Sequence, residues 1–327
     1  MTQKDTIKLF ADRILKNIKE VDSTGLYNGK AGLSLALFSA AEYLQDEHIN
    51  GVAYQLLMES IIIRNSNVSF ENGLSGVGYT LLYLIENNFV DADFDGIFGI
   101  QYETIIRSFE GIEKAPTGLV NTMQIVYFLA KAAHFKKDDS RIPEIIKKIF
   151  EGLELFLTVQ FHDFSDIRYI NRKLNILSFF NTYLKLVEYT GYSNFSSSLL
   201  EIYASLYQKG RIVSSLETGY LLNKISIKNN MDIYGEMIRE NIWNGFNNIH
   251  LDMLSLRERI DLAKIISDLN YNELQEQQLL PEITLTKTDR FFQDLSVTTP
   301  ETFSPFGYGA GLGRLLIYCV DSQAELL

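Results

Sequence analysis

The strongest constraint on this chain is a glycine-rich turn that runs straight into an apolar helix, and that returns. Gly25-Leu26-Tyr27-Asn28-Gly29-Lys30-Ala31-Gly32 leads into Leu33-Ser34-Leu35-Ala36-Leu37-Phe38. Gly73-Leu74-Ser75-Gly76-Val77-Gly78-Tyr79 leads into Thr80-Leu81-Leu82-Tyr83-Leu84-Ile85, and Gly307-Tyr308-Gly309-Ala310-Gly311-Leu312-Gly313 into Arg314-Leu315-Leu316-Ile317-Tyr318. Glycines let a neighbouring segment approach closely. Helices apolar almost all round belong inside rather than on a surface. Three copies of one pattern mark an internal repeat, which has to be read before anything else.

The period can be measured. Gly29 and Gly73 are 44 residues apart, Gly73 and Gly118 are 45 apart, and Gly219 and Gly309 are 90 apart, or two periods. Between the apolar helices lie amphipathic ones, as in 5–20, where Ile7, Phe10, Ile14 and Ile18 recur at spacings of three and four. Similar stretches fall at 51–64, 97–109, 142–157, 195–208, 231–241 and 257–269. Further apolar helices open at Ala115-Pro116-Thr117-Gly118, at Leu174, at Ser214-Ser215-Leu216-Glu217-Thr218-Gly219, and at Trp243-Asn244-Gly245-Phe246, the last reaching about Leu256. Phe161 to Arg172 reads as a polar-aromatic loop, with the register slipping there and before the sixth unit.

Seven amphipathic helices, each followed by an apolar one, make an all-α chain. An open solenoid needs polar end caps. Here the first and last apolar helices carry the clearest glycine turns, so the expectation is a closed α/α toroid. It has seven inner and seven outer helices in a single domain over 1–327, with the turns converging near the axis, where a site belongs. A polar stretch over 271–303 interrupts the rhythm before the last inner helix. Its strand-like runs Glu282-Ile283-Thr284-Leu285-Thr286 and Leu295-Ser296-Val297-Thr298-Thr299 read as a flap over the mouth or a surface insertion.

Composition narrows the partners. Lys plus Arg is 30 and Asp plus Glu is 41, a formal net charge of −11. An acidic surface is unsuited to a phosphate backbone or an anionic bilayer, which need basic faces. Lys136-Lys137 and Lys147-Lys148 read as a solvated helix face. The single cysteine, Cys319, cannot form a disulfide within the chain and fits a reducing compartment. The N-terminus lacks the uninterrupted apolar core of a signal peptide, and no apolar run reaches the roughly 18 residues of a membrane span. Together these point to the cytoplasm.

The repeated turns, over essentially the whole chain, resemble those of the lanthionine synthetase C-like (LanC-like) family. The residues that carry the likeness are Gly25–Gly32, Gly73–Tyr79 and Gly307–Gly313. The resemblance implies a protein that acts on ribosomally made peptides. Members of the family cyclise them with a zinc ion held by two cysteines and a histidine, which activates a substrate thiol for addition to dehydroalanine or dehydrobutyrine. It also implies that the ligands come from the loops opening the fifth and sixth inner helices. Here those loops are Ser214–Gly219 and Trp243–Gly245, with neither Cys nor His. A Cys₂His site cannot be built from one cysteine. The expectation is therefore a protein without zinc or any other cofactor, whose partner is a precursor peptide or a peptide-modifying enzyme.

Candidate site residues follow from the turns. Tyr27, Asn28, Glu71, Asn72, Glu217, Trp243, Asn244 and Tyr308 would lie near the axis as substrate-binding groups. Exposed amides at helix N-termini attract carboxylates and carbonyls, though the same glycines also serve close packing. His162 and Asp163, in the titratable stretch Phe161-His162-Asp163-Phe164-Ser165-Asp166, are the candidate proton-transfer pair. The simpler alternative is an exposed loop with a locally bonded histidine. Asp91-Ala92-Asp93-Phe94-Asp95-Gly96 matches the start of a calcium loop, but its twelfth position is Tyr102, so an acidic helix cap explains the run more cheaply.

Three functions stay open. The first is a zinc-free LanC-like protein that binds a modified peptide or its leader, with cyclisation by His162 and positioning alone as one possibility. The second is a sugar hydrolase or lyase using paired carboxylates such as Glu71 and Glu217, which must face each other at roughly 5–9.5 Å. The third is a binding scaffold without chemistry.

Overall fold

The computed structural model describes residues 2–62, 67–109, 123–163, 170–194, 197–229, 232–250, 254–269, 291–292, 295, 304–322 and 324. Helices dominate these residues and no strand is present among them. The chain divides into two compact units, Met1–Ser108 with Leu251–Leu327, and Phe109–His250.

The first unit holds α1 (Gln3–Asn17), α2 (Lys30–Leu44), α3 (Glu47–Ile61), α4 (Leu74–Glu86) and α5 (Phe94–Arg107). In chain order α12 (Leu256–Leu269) and α13 (Leu312–Val320) complete it. The alternation of inner and outer helices is visible in burial. Ten of the fifteen residues of α2, ten of the thirteen of α4 and seven of the nine of α13 are buried. In α1, α3 and α5 only one stripe is. α2 packs against α1, α3, α4 and α13. The outer helices start on side-chain caps. Thr2 and Asp5 form a capping box on α1, and Asp46 Oδ1 accepts from the His48 and Ile49 amides at α3. Asp93 accepts from the Asp95 and Gly96 amides at α5, so the acidic run at 91–96 is a helix cap.

The inner helices start differently. Gly29, Gly73 and Gly311 are the N-caps of α2, α4 and α13, in the same extended conformation and with no side-chain cap. Each first helical amide instead donates to the carbonyl seven residues earlier. Lys30 N bonds Ser23 O at 2.9 Å, Leu74 N bonds Asn67 O at 2.8 Å, and Leu312 N bonds Pro305 O at 2.8 Å. The turns are also bonded to one another at equivalent positions. Gly309 N donates to Tyr27 O at 2.9 Å, and Tyr27 N donates to Glu71 O at 2.7 Å. Residues 309, 27 and 71 each stand two before the N-cap glycine, so last turn to first and first turn to second are the same step. The side-chain packing repeats it. A methyl at Gly32 would overlap the Leu26 carbonyl oxygen and crowd Tyr308 Cβ; at Gly76 it would overlap the Phe70 carbonyl oxygen and crowd Leu26 Cβ.

The second unit holds α6 (Ile125–Phe135), α7 (Arg141–Asp163), α8 (Ile170–Thr190), α9 (Ser197–Gln208), α10 (Leu216–Asn229) and α11 (Gly235–Asn247). α7 packs on α6, α8 and α9, while α10 packs on α8 and α11.

Three expectations are corrected. The polar loop at 161–172 is helical at both ends, with α7 running through Asp163 and α8 beginning at Ile170. Buried Leu153, Leu157 and Phe161 follow at spacings of four and carry α7 past the proposed boundary. No inner helix opens at Trp243, because Trp243 and Asn244 sit in the last turn of α11, and residues 248–250 and 254–255 are not helical. Gly245 is not a turn glycine. A methyl there would overlap the Leu216 amide, and one at Gly219 would crowd Asn241 and Ile242, so the two glycines let α10 and α11 meet closely. Leu295, which opens the second strand-like run, is helical. The turn at 115–118 and the rest of the 271–303 stretch, apart from Phe291, Phe292 and Leu295, lie outside the described residues. Phe292 is buried, stands edge-on to Phe10 with centroids 6.4 Å apart, and has the Arg13 guanidinium over its ring at 4.7 Å.

Two outcomes test this architecture. Gly76→Ala should cost about 3 kcal/mol or more in urea unfolding, because backbone must move. Gly51→Ala, in α3 with nothing within 4 Å, should stabilise, by about 0.5–1 kcal/mol. Lys30, the first residue of α2, donates to Glu59 Oε2 at 2.7 Å, and this bond, with a second from Gln55, holds the Glu59 carboxyl below the usual range. That contribution is complete above the ordinary glutamate pKa and is lost as pH falls through the lowered value. The Tm gap between wild type and Glu59→Gln should therefore be widest near neutrality and narrow as pH falls below the ordinary glutamate value.

Candidate functional site

Polar side chains gather around helix starts in each unit. In the first unit the interlocked turns bring together Tyr27, Asn28, Glu71, Asn72 and Tyr308. Tyr27 and Tyr308 are 1% exposed, with ring centroids 6.2 Å apart, and Tyr27 also stands edge-on to Phe70. Asn28 Oδ1 accepts from the Ser304 amide at 2.8 Å, so it latches the last turn to the first. Glu71 and Asn72 are half-buried. Glu71 contributes its carbonyl to Tyr27, and the Asn72 backbone lies where a side chain on Gly25 would fall.

Three charged residues that sequence reasoning missed complete this cluster. Arg314, 1% exposed, donates through Nη2 to Asp261 Oδ1 at 2.5 Å. Arg257 Nε lies 3.9 Å from Asp261 Oδ2. The Arg257 guanidinium stands 5.3 Å from the Tyr27 ring centroid and that of Arg314 stands 6.0 Å from Tyr308, so each turn tyrosine faces a cation. The signal for Arg314 was present. It stands three residues after its N-cap glycine, where the other two turns carry Gly32 and Gly76, and it is the only charge in its helix. A buried guanidinium needs a carboxylate partner, which Asp261 supplies from α12. Guanidinium groups do not release protons near neutrality, so these cations hold Asp261 and the turn tyrosines by charge rather than transfer protons.

In the second unit the start of α10 anchors a buried network. Ser215 Oγ accepts from the Thr218 amide at 3.3 Å, an N-cap bond. The Thr218 hydroxyl donates to Asn181 Oδ1 at 2.7 Å, and Asn181 Nδ2 donates to Glu217 Oε2 at 2.8 Å. Lys185 Nζ pairs with Glu217 Oε1 at 2.7 Å. Asn241 Oδ1 accepts from the Tyr203 hydroxyl at 3.1 Å and the Ser215 amide at 3.3 Å. Burial pushes the Tyr203 phenol well above its ordinary value, so it stays a donor. Glu217 has both oxygens engaged, one by the Asn181 amide and one by the Lys185 ammonium.

The remaining candidates stand apart from these networks. Trp243 is 52% exposed and Asn244 is exposed, both at the end of α11. His162 is exposed in the last turn of α7, where a basic group suits the helix dipole. Asp163 ends that helix, and its side chain lies outside the described residues.

The donors at the start of α10 do not fit the zinc that the LanC-like resemblance implies. They are hydroxyls and amides plus one carboxylate already paired with Lys185, whereas zinc prefers thiolate and imidazole. Among the described residues no three His, Cys, Asp or Glu side chains converge to hold a metal ion, and no helix is long and apolar enough to cross a membrane. No family model, curated protein or solved structure matches this chain.

The Asp261 pairing makes an ordered prediction. Asp261→Ala strips a nearly fully buried guanidinium of its carboxylate, whereas Arg314→Met leaves an acid that is 22% exposed and still near Arg257. Asp261→Ala should be the more destabilising in denaturant unfolding, by roughly 3–5 kcal/mol against wild type.

Proposed function

We propose that this chain is a LanC-like protein without zinc chemistry, which binds a ribosomally made, modified peptide in the cytoplasm and assists its maturation. In this reading the helix pairs of 1–327 close into one α/α toroid, and the peptide lies across the mouth where the glycine turns converge. The observation that carries it is the repeated step between turns: Gly309 to Tyr27 is bonded as Tyr27 is bonded to Glu71. A last inner helix that joins the first by the same contact that joins the first to the second is what a closed ring requires, and this supports the reading. Of the charged groups and tyrosines beside those turns, Arg257, with 24% of its side chain exposed, offers a cation to peptide carbonyls and carboxylates, while Tyr27, Tyr308 and Arg314 are buried. His162 is the residue to which any thiol activation would fall. No observation favours the paired-carboxylate hydrolase, since Glu217 is committed to Lys185 and Asn181.

The test uses precursor peptides encoded beside this gene, with serines and threonines dehydrated or intact and cysteines free. The protein should retain the dehydrated peptide in a pull-down, and mass spectrometry after alkylation should report whether thiols are consumed. Any consumption should persist in EDTA and disappear in His162→Ala, with binding unchanged. Stoichiometric zinc in the purified protein, lost on His162→Ala, would refute the reading.

A further inference from the structure

We propose that the second unit carries a separate docking groove for an extended, cationic-apolar peptide segment, along the face of α11. The groove encloses about 670 Å³ between α11 and the loop that follows α9, within the size range of ligand sites. Its floor includes buried Ile212 and Met237. Two apolar side chains stand nearly naked at its edge, Val213 at 73% exposure and Ile233 at 87%. Along one wall, Glu236, Glu240, Asn244 and Asn248 follow at spacings of four and so share one face of the helix line.

Charge selects the occupant. Glu236 and Glu240 both line the groove, and among the described residues neither is in an ion pair. Among the described residues no lysine or arginine lines it, although Lys209 and Arg211 belong to the same loop. Like charges one turn apart repel, and a cation between or above them removes that cost. The spacing selects further. Four helical residues separate the two carboxylates by about 6 Å along the axis. In an extended strand, side chains at i and i+2 lie on one face about 6.6 Å apart. A Lys-Xaa-Lys segment therefore puts one ammonium over each glutamate, and its flanking apolar side chains cover Val213 and Ile233. The stripe from 236 to 248 runs about 18 Å, the length of five or six extended residues. Val213 and Ile233 favour such a peptide over a bare polyamine, which has no side chains to cover them.

This deepens the peptide-binding reading by giving a second contact point on the same kind of substrate, yet it is tested without that substrate. The probe is a fluorescein-labelled, end-blocked hexapeptide, Leu-Lys-Ser-Lys-Leu-Ser, titrated into the full chain and read by fluorescence anisotropy at low salt. It contains no thiol and no dehydrated residue, so its failure would leave the dehydrated-peptide assay standing, and the reverse. Glu236→Gln with Glu240→Gln should weaken binding at least about tenfold, and Ile233→Ser should weaken it without changing its salt dependence. The surface control Glu20→Gln with Glu42→Gln, both exposed, removes the same charge elsewhere and should leave binding within about twofold. The hexapeptide with glutamate in place of lysine should not bind. Equal binding by the Glu236/Glu240 variant, an equal loss in the surface control, equal binding of the acidic peptide, or full displacement by spermidine would each overturn the proposal.

Discussion

The first unit depends on a backbone contact between turns. An amide two residues before one N-cap glycine donates to the carbonyl two residues before the next, first from Gly309 to Tyr27 and then from Tyr27 to Glu71. Main-chain groups make this contact, so its geometry leaves no room for side chains at the crossing. That accounts for the glycines better than flexibility does. Gly32 and Gly76 are helical residues with ordinary dihedrals, held to glycine by the carbonyl that passes over them. The same economy explains the absence of side-chain caps on the inner helices. Their first amides are satisfied by the loop that precedes them, so a capping serine or aspartate has nothing to add.

Where the repeat is broken, chemistry appears. Arg314 occupies the position that Gly32 and Gly76 hold in the other turns. The resulting buried cation draws in Asp261, and with Arg257 it places two guanidinium groups beside two tyrosines. In the second unit, amides and hydroxyls stand near the start of α10 and hold one another in place through Asn181, Thr218 and Asn241. Fully satisfied networks of this kind rigidify a core. They leave few lone pairs for a metal or a substrate, which is why the functional reading rests on recognition more than on reaction.

Much of this was legible in the sequence. The glycine turns, the buried helices after them, the amphipathic helices between, and Asp93 as a helix cap are all local patterns, and local patterns survive in the structure. The failures share a cause. Gly245 looked like a turn residue because a glycine can serve a bend or a close approach, and only its neighbour, the Leu216 amide, distinguishes them. The polar run after Phe161 looked like a loop, yet the apolar stripe through Leu153 and Leu157 kept the helix going. Glu217 looked available because Lys185 and Asn181 lie more than thirty residues away in the sequence. Arg257 and Asp261 lie on the amphipathic stretch 257–269, and nothing local sets them apart; Arg314 joins them from another helix.

The composition of the first unit, 1–108 with 251–327, has a kinetic consequence. On the ribosome, its opening helices emerge with the apolar faces of α1 and α2 still lacking α13. The whole of the second unit is made before that partner exists. At about 5–20 residues per second the wait lasts some tens of seconds at the slow end. Such long-range pairing slows folding, and until α13 is made only α1, α3 and α4 are there to cover α2.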